Sequence, residues 1–301
     1  MSEMFDVPGR IRCGTVVCAD LAASEADYRD ILGLGLVDDA PVSEALAAAW
    51  GAPAMAGRGC RLLRAEGATP YLTRLVEGTA VPGHKPLYSH GWAAFEHSVV
   101  DCDALYARMK DSAFEVVGAP KLVPGFDNFI PFQVTGRAGE ALYLNQVLNG
   151  AMSDLDLPNT EASVDQMFIA IMAAPDREAA VRFHVEQLGF EEGQTWTIPY
   201  SVINKSFGLA SDALTAMTMT KTGRIPGCEI DQYPAEAPVR DVPAGELPPG
   251  NAVVSFIYGS LDEVRVPFLG PLVRLEGELY QGRRMGCVRG AAGELVELIE
   301  A

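Results

Sequence analysis

The residues best suited to chemistry carry oxygen and lie in apolar, strand-like runs. In Gly227-Cys-Glu-Ile-Asp-Gln-Tyr, Glu229 and Asp231 take alternate positions, so a strand projects both carboxylates from one face. A carboxylate held there can move a proton, with Asp231 in reserve as a base. Glu297 lies in another apolar run, Gly293-Glu-Leu-Val-Glu-Leu, where it faces either a site or solvent. Arg74 offers a planar fork for a carboxylate or phenolate if it points inward, and is an ordinary surface charge if it points outward. Tyr143 can donate a hydrogen bond or simply pack, and Trp92, Trp196, Tyr200 and Phe256 can line an apolar pocket or fill a core. The sequence holds no Gly-x-x-x-x-Gly-Lys-Ser/Thr loop, no Gly-x-Ser-x-Gly elbow and no His-Glu-x-x-His, and Gly33-Leu-Gly35 does not continue into a dinucleotide fingerprint. Phosphate-binding and serine-hydrolase chemistry therefore lack support.

Positioning such groups requires a core, and the composition supplies one. The chain has 301 residues, 49% of them hydrophobic, which argues against wholesale disorder. Its 23 Lys and Arg against 40 Asp and Glu give a net charge of −17, a surface that repels nucleic-acid phosphates and anionic membranes. No apolar run approaches the roughly 18–20 residues of a membrane span. The opening Met-Ser-Glu-Met-Phe-Asp lacks the basic and apolar regions of an export signal. Six cysteines (13, 18, 60, 102, 228 and 287) form no Cys-x-x-Cys pair and read as buried apolar groups in a reducing cytoplasm.

The chain repeats itself. Residues 13–34 and 166–190 each read as an apolar strand, an acidic turn and an amphipathic helix ending at Leu-Gly. Asp20 and Asp176 are placed to cap the helices, and Gly33 and Gly189 to end them in the left-handed conformation. Tyr28 and Leu32 fall on the core side of the first helix. Weaker echoes start at Trp92–Val100 and Ala252–Tyr258, the latter followed by a shortened helix that Pro267 stops. Four units result, each strand–helix–strand–strand–strand, starting near residues 11, 90, 164 and 251. None can bury its sheet face alone, so the units must pair. The halves join within Asn149–Ser163. Pro234–Gly250, with five prolines, is a stiff segment that reads as a crossover linker or a lid.

On the strand–Asp–helix–Leu-Gly pattern at 13–34 and 166–190, and on the glycine turns at Gly139-Glu-Ala-Leu-Tyr-Leu and Gly293-Glu-Leu-Val-Glu-Leu, the sequence resembles the vicinal oxygen chelate superfamily. That superfamily holds glyoxalase I, bleomycin- and fosfomycin-resistance proteins and extradiol dioxygenases. The resemblance implies an α+β fold of four βαβββ units paired into two cupped eight-stranded mixed sheets. It also implies two domains, residues 1–150 and 160–301, with the second carrying the site.

In that family, ligands come from the first and last strands of paired units. Carried over, the resemblance implies Gln166, Glu229 and Glu297 as holders of a divalent metal ion (Mg, Mn or Fe), with Glu297 and Asp231 as catalytic carboxylates. Gln166 requires a three-residue insertion, since a gap-free match places Ile169 there; the fourth position is Val253. The same positions of the N-terminal half read Cys13, Thr73 or Arg74, Ala94 and Tyr143. Arg74, Tyr143 and Tyr200 are the candidate substrate contacts. None of His84, His90, His97 and His184 matches a ligand position. The two-His-one-carboxylate triad of oxygen activation is missing, which argues against an extradiol dioxygenase. The implied function is a metal-assisted lyase or isomerase acting on a small oxygenated molecule, aromatic or not; the alternative is a non-catalytic small-molecule binder. A small molecule is the expected partner, with neither nucleic acid nor membrane, and a homodimer is the assembly left open.

Overall fold

The four repeats are all present in the computed structural model, which describes residues 6–66, 69–122, 128–148 and 154–301. Unit one contains β1 (Ile11–Cys18), α1 (Leu21–Asp30), β2 (Leu34–Asp38), an inserted α2 (Glu44–Ala49), β3 (Cys60–Ala65) and β4 (Leu72–Glu77). Unit two contains β5 (Gly91–Val99), α3 (Cys102–Met109), β6 (Glu115–Gly118), β7 (Phe129–Thr135) and β8 (Ala141–Val147). Unit three contains β9 (Met167–Ala174), α4 (Arg177–Leu188), β10 (Glu191–Pro199), α5 (Ser201–Phe207), β11 (Leu214–Thr222) and β12 (Ile225–Gln232). Unit four contains β13 (Gly250–Tyr258), β14 (Val273–Arg274), α6 (Gly277–Tyr280), β15 (Arg284–Arg289) and β16 (Leu295–Glu300). Its shortened helix is a single 3-10 turn, Leu261–Glu263.

Local chemistry explains where the helices start and stop. Asp20, Asp101 and Asp176 each accept a hydrogen bond from the backbone N–H three residues on, at 2.9–3.0 Å, which satisfies a donor the first turn leaves free. Gly189 closes α4 at φ +73°, a conformation that costs other residues energy.

The strands form two eight-stranded mixed sheets. Sheet A runs β14-β15-β16-β13-β1-β4-β3-β2, and sheet B runs β10-β11-β12-β9-β5-β8-β7-β6. Unit one thus pairs with unit four, and unit two with unit three. The division into self-contained halves, 1–150 and 160–301, is corrected at this point: neither half closes a sheet of its own. The central ladders, β1 with β13 and β5 with β9, are antiparallel and cross between the halves. Both pairings bury the same apolar faces, so the pattern of apolar residues does not choose between them. Of the expected join, residues 149–153 lie outside the described residues.

The faces opposite the two cups share one core, into which α1, α3 and α4 insert Tyr28, Leu105, Met109, Val181 and Leu188, with Leu32 from the turn after α1. Gly14 lies at a close approach, where an added Cβ would stand 2.8 Å from the Tyr71 hydroxyl and 3.1 Å from Phe95. Polar ties join the sheets. Asn251 of β13 accepts from Ala141 N at 2.8 Å and donates to Ala141 O at 3.2 Å, and Trp92 Nε1 donates to Leu295 O at 2.8 Å. Two helix residues reach glutamates of the other sheet: Tyr28 donates to Glu140 at 3.1 Å, and His184 Nε2 lies 3.2 Å from Glu294. The proline-rich segment 234–250 carries the chain from sheet B back to sheet A. Arg240 pins it through Ser89 Oγ, Asn251 O and Trp92 O at 2.7–2.9 Å, which makes it a fixed crossover.

Candidate functional site

Each cup is floored by the two central strands and the parallel strand beside each. Sheet register places Thr15, Arg74, Ser255 and Glu297 together in sheet A: Thr15 pairs with Arg74, and Ser255 with Glu297. In sheet B the equivalent pairs are Glu96 with Tyr143 and Ile171 with Glu229. Arg74 and Tyr143 are therefore counterparts, as are Glu297 and Glu229. The four last-strand candidates all face a cup, but in combinations other than those expected.

The floor of the sheet A cup is occupied by a buried ion pair, beside a cavity of about 250 Å³ that Leu62, Leu275 and Tyr280 line together with Arg74. Arg74 and Glu297 are 1% and 0% exposed and form a salt bridge at 3.2 Å. Glu297 also accepts from Trp50 Nε1 and Ser255 Oγ at 2.6 Å and from the Tyr280 hydroxyl at 3.2 Å. Arg74 donates to Thr15 Oγ1 at 2.9 Å and to the Tyr280 hydroxyl at 2.6 Å, and its guanidinium lies 4.7 Å over the Trp50 ring. Burial opposes the charge on Arg74, but Glu297, Tyr280 and the nearby cysteines together outweigh it and hold its pKa above the usual guanidinium range. Glu297 thus accepts from Arg74, Trp50, Ser255 and Tyr280, a network that ties the floor of this cup together. Arg74 likewise points inward, but to its own carboxylate.

The cup of sheet B is open. It holds a cavity of about 190 Å³ walled by Phe129, Phe168, Trp196, Met217 and Met219, with Glu96, Tyr143, Asn145, Tyr200 and Glu229 also lining it. The Tyr200 hydroxyl lies 3.1 Å from Glu229 Oε1 and 3.4 Å from the Tyr143 hydroxyl, so Tyr143, Tyr200 and Glu229 form a chain of hydrogen bonds. Asn145 donates to Glu96. Burial pushes the Glu229 carboxyl up to about 7, against the lowering effect of its bonds to Tyr200 and Asp231. Burial also raises Glu96 and Asp231 well above the carboxylate range, and the nearby charge of Glu229 raises both further.

Sequence reasoning reached Tyr143, Tyr200, Glu229 and Asp231 but missed Glu96 and Asn145. The signal for Glu96 was a lone charge inside the apolar Gly-Trp-Ala-Ala-Phe-Glu run, two positions beyond the expected ligand site at Ala94 and on the same face.

Gln166, Glu229 and Glu297 do not converge. Glu229 and Glu297 belong to different sheets, and Gln166 precedes β9 at a separate surface cleft beside Arg10, Thr69 and Asn159. The insertion that Gln166 required is absent. Counting back seven residues from the capping Asp20, Asp101, Asp176 and Ser260 gives Cys13, Ala94, Ile169 and Val253, the gap-free set.

At the positions where the resemblance implies ligands, neither cup offers a divalent-ion set: sheet A places a guanidinium against its carboxylate, and sheet B offers Ala94, Ile169, Tyr143 and Glu229. Among the described residues, no cluster of three or more His, Cys, Asp or Glu side chains is arranged to hold a metal. Three of the four histidines make structural contacts. His97 bonds Asp165 O at 2.9 Å on the face away from the cup, His84 bonds Gly139 O at 3.1 Å, and His184 is buried in the shared core region. No helix among the described residues is long and apolar enough to cross a membrane.

Two cups built from paired repeats define the class. The Glyoxalase/Bleomycin resistance protein/Dioxygenase superfamily profile matches residues 10–134. Over 97% of this chain the structure is similar to glyoxalase I from Zea mays, covering 92% of that chain with a TM-score of 0.61 at 14% identity. It is also similar to a putative dioxygenase from Bacillus subtilis subsp. subtilis str. 168, at TM-score 0.60 and 10% identity, covering 97% of this chain and 85% of that one. Residues 10–134 thus match this superfamily, also known as the vicinal oxygen chelate superfamily, and the whole chain shares the fold of the two solved structures. No curated protein matches it significantly in sequence.

Proposed function

We propose that the protein is an enzyme acting on a small organic molecule in the cup of sheet B, by proton transfer at Glu229. The carrying observation is a carboxyl with pKa near 7, lining a cavity with apolar walls and joined to two tyrosines. A group with that pKa exists in both protonation states near neutrality, as a general acid–base requires. Tyr143 and Tyr200 are both held neutral by burial; Tyr200 orients the Glu229 carboxyl, and Tyr143 offers its hydroxyl to a substrate oxygen on which charge develops. Asp231 lies behind Glu229 and tunes it. The reaction is of the lyase or isomerase class. The family often binds metals, but the donors here do not suit one.

A second reading, a non-catalytic binder, is favoured by the aromatic and methionine walls, which suit adaptable capture of an apolar ligand. One experiment covers both. Small oxygenated organic molecules are screened by thermal shift against the protein and against Ile169→Phe, which projects into the cavity. Hits are incubated in D2O, and exchange of substrate C–H is followed by NMR for wild type and Glu229→Gln. Enzymatic function predicts hits lost in Ile169→Phe and exchange lost in Glu229→Gln. Binding without exchange selects the second reading. Hits unaffected by Ile169→Phe place the site elsewhere and defeat both.

A further inference from the structure

We propose that the ligand of the sheet B cup is an organic ammonium, a compact aromatic or apolar molecule whose protonated amine sits between Glu96, Asn145 and Glu229. The proposal rests on the reading of this cup as the working site and specifies what enters it.

The amide and phenol donors of the floor are already engaged: Asn145 Nδ2 on Glu96, Tyr200 on Glu229 Oε1, and the Tyr143 hydroxyl against that of Tyr200. Asn145 Oδ1 is left without a partner among the described residues, although Asn145 is 1% exposed and lines the cavity. A buried acceptor in that state costs roughly 1–3 kcal/mol until a donor reaches it. An ammonium brings three N–H donors and the charge that two crowded carboxyls lack. An alcohol brings one donor, and a carboxylate brings more acceptors and the wrong sign.

The walls fit the same ligand. Trp196 and the other lining rings offer π faces, which attract a cation placed beside them. The size also fits, since an apolar cavity of about 150 Å³ holds benzene, and this one is about 190 Å³. Among the described lining residues Lys121 is the only cation, and it is exposed at the mouth. The net charge of −17 draws cations toward the surface from solution.

The test compares three probes of matched shape by calorimetry at pH 7.5: 2-phenylethylamine, 2-phenylethanol and 3-phenylpropionate. The amine is expected to bind at least about tenfold tighter than the alcohol, and the carboxylate weakest of the three. Because a protonated carboxyl ionises to meet the ammonium, amine binding releases up to about one proton, read from the dependence of the heat on buffer. Glu96→Gln and Glu229→Gln, which keep side-chain volume, each abolish the amine's advantage while leaving alcohol binding in place. The wild-type comparison and the proton release stand even if either variant fails to fold. If the alcohol or the carboxylate binds as tightly as the amine, the proposal falls while the cavity reading survives. If no probe binds, or if Ile169→Phe binds them unchanged, both fall.

Discussion

Glu229 and Glu297 occupy the same position in the two sheets, each on a last strand beside the first strand of its own unit, yet their surroundings have opposite chemistry. Glu297 meets a guanidinium and three neutral donors. Glu229 meets a tyrosine and other carboxyl groups, and opens to a cavity. One repeat position has become a structural strut in sheet A and a titratable group in sheet B.

The strut is testable as a buried ion pair. Arg74→Met strands Glu297 without its cation and is expected to cost about 3–5 kcal/mol in urea denaturation. Replacing both residues, Arg74→Met with Glu297→Leu, should recover most of that loss, because desolvation of two charges disappears with them. A double variant as unstable as the single one contradicts the assignment.

Glu229 makes stability depend on pH in an unusual direction. Its pKa rises from the ordinary 4.5 to about 7 on folding, so the folded state binds the proton more tightly than the unfolded chain. The contribution is complete below about pH 4.5 and is lost as pH rises to about 7. Melting temperatures across that window should therefore fall more steeply for wild type than for Glu229→Gln. Parallel curves would show that the carboxyl is not held protonated.

The His184–Glu294 contact acts in a higher window. Burial works against a charged ring, but the Cys228 sulfur and the Glu294 carboxylate outweigh it and raise His184 from 6.5 to about 10. Its contribution is complete below about pH 6.5 and lost as pH rises through about 10. Wild type is expected to lose stability over that range, and His184→Leu paired with Glu294→Leu to lose less. Imidazole chemical shifts would show directly where the ring titrates.

Metal dependence gives a further check. With a guanidinium in one cup and apolar side chains at Ala94 and Ile169 in the other, chelation should leave the melting temperature unchanged. Added Mg²⁺ or Mn²⁺ should shift it by less than about 1 °C, since a ligand stabilises only in proportion to its binding. A larger shift, lost in Glu229→Gln, would restore a metal site to sheet B.

Much of this was readable from the residues. The repeats, the capping aspartates and the last-strand positions Arg74, Tyr143, Glu229 and Glu297 all follow from periodicity and turn chemistry. The partnering of units was not readable, because units related by repetition present interchangeable apolar faces. That error alone separated Arg74 from Glu297 and joined Glu297 to Glu229. Gln166 arose from a ligand sought where the strand places Ile169. Glu96 lies two residues beyond Ala94 on the same face, a position for which the resemblance implies no ligand.

The partnering also sets an order of assembly. Sheet B draws its strands from one unbroken stretch of chain, whereas sheet A is stitched together from stretches on either side of it. On the ribosome, every strand of sheet B has been synthesised before β13 exists, so the open cup is free to form early. β1 must wait with its antiparallel edge uncovered until the fourth unit emerges, and that interval is when a newly made chain is most exposed to pairing with the wrong neighbour.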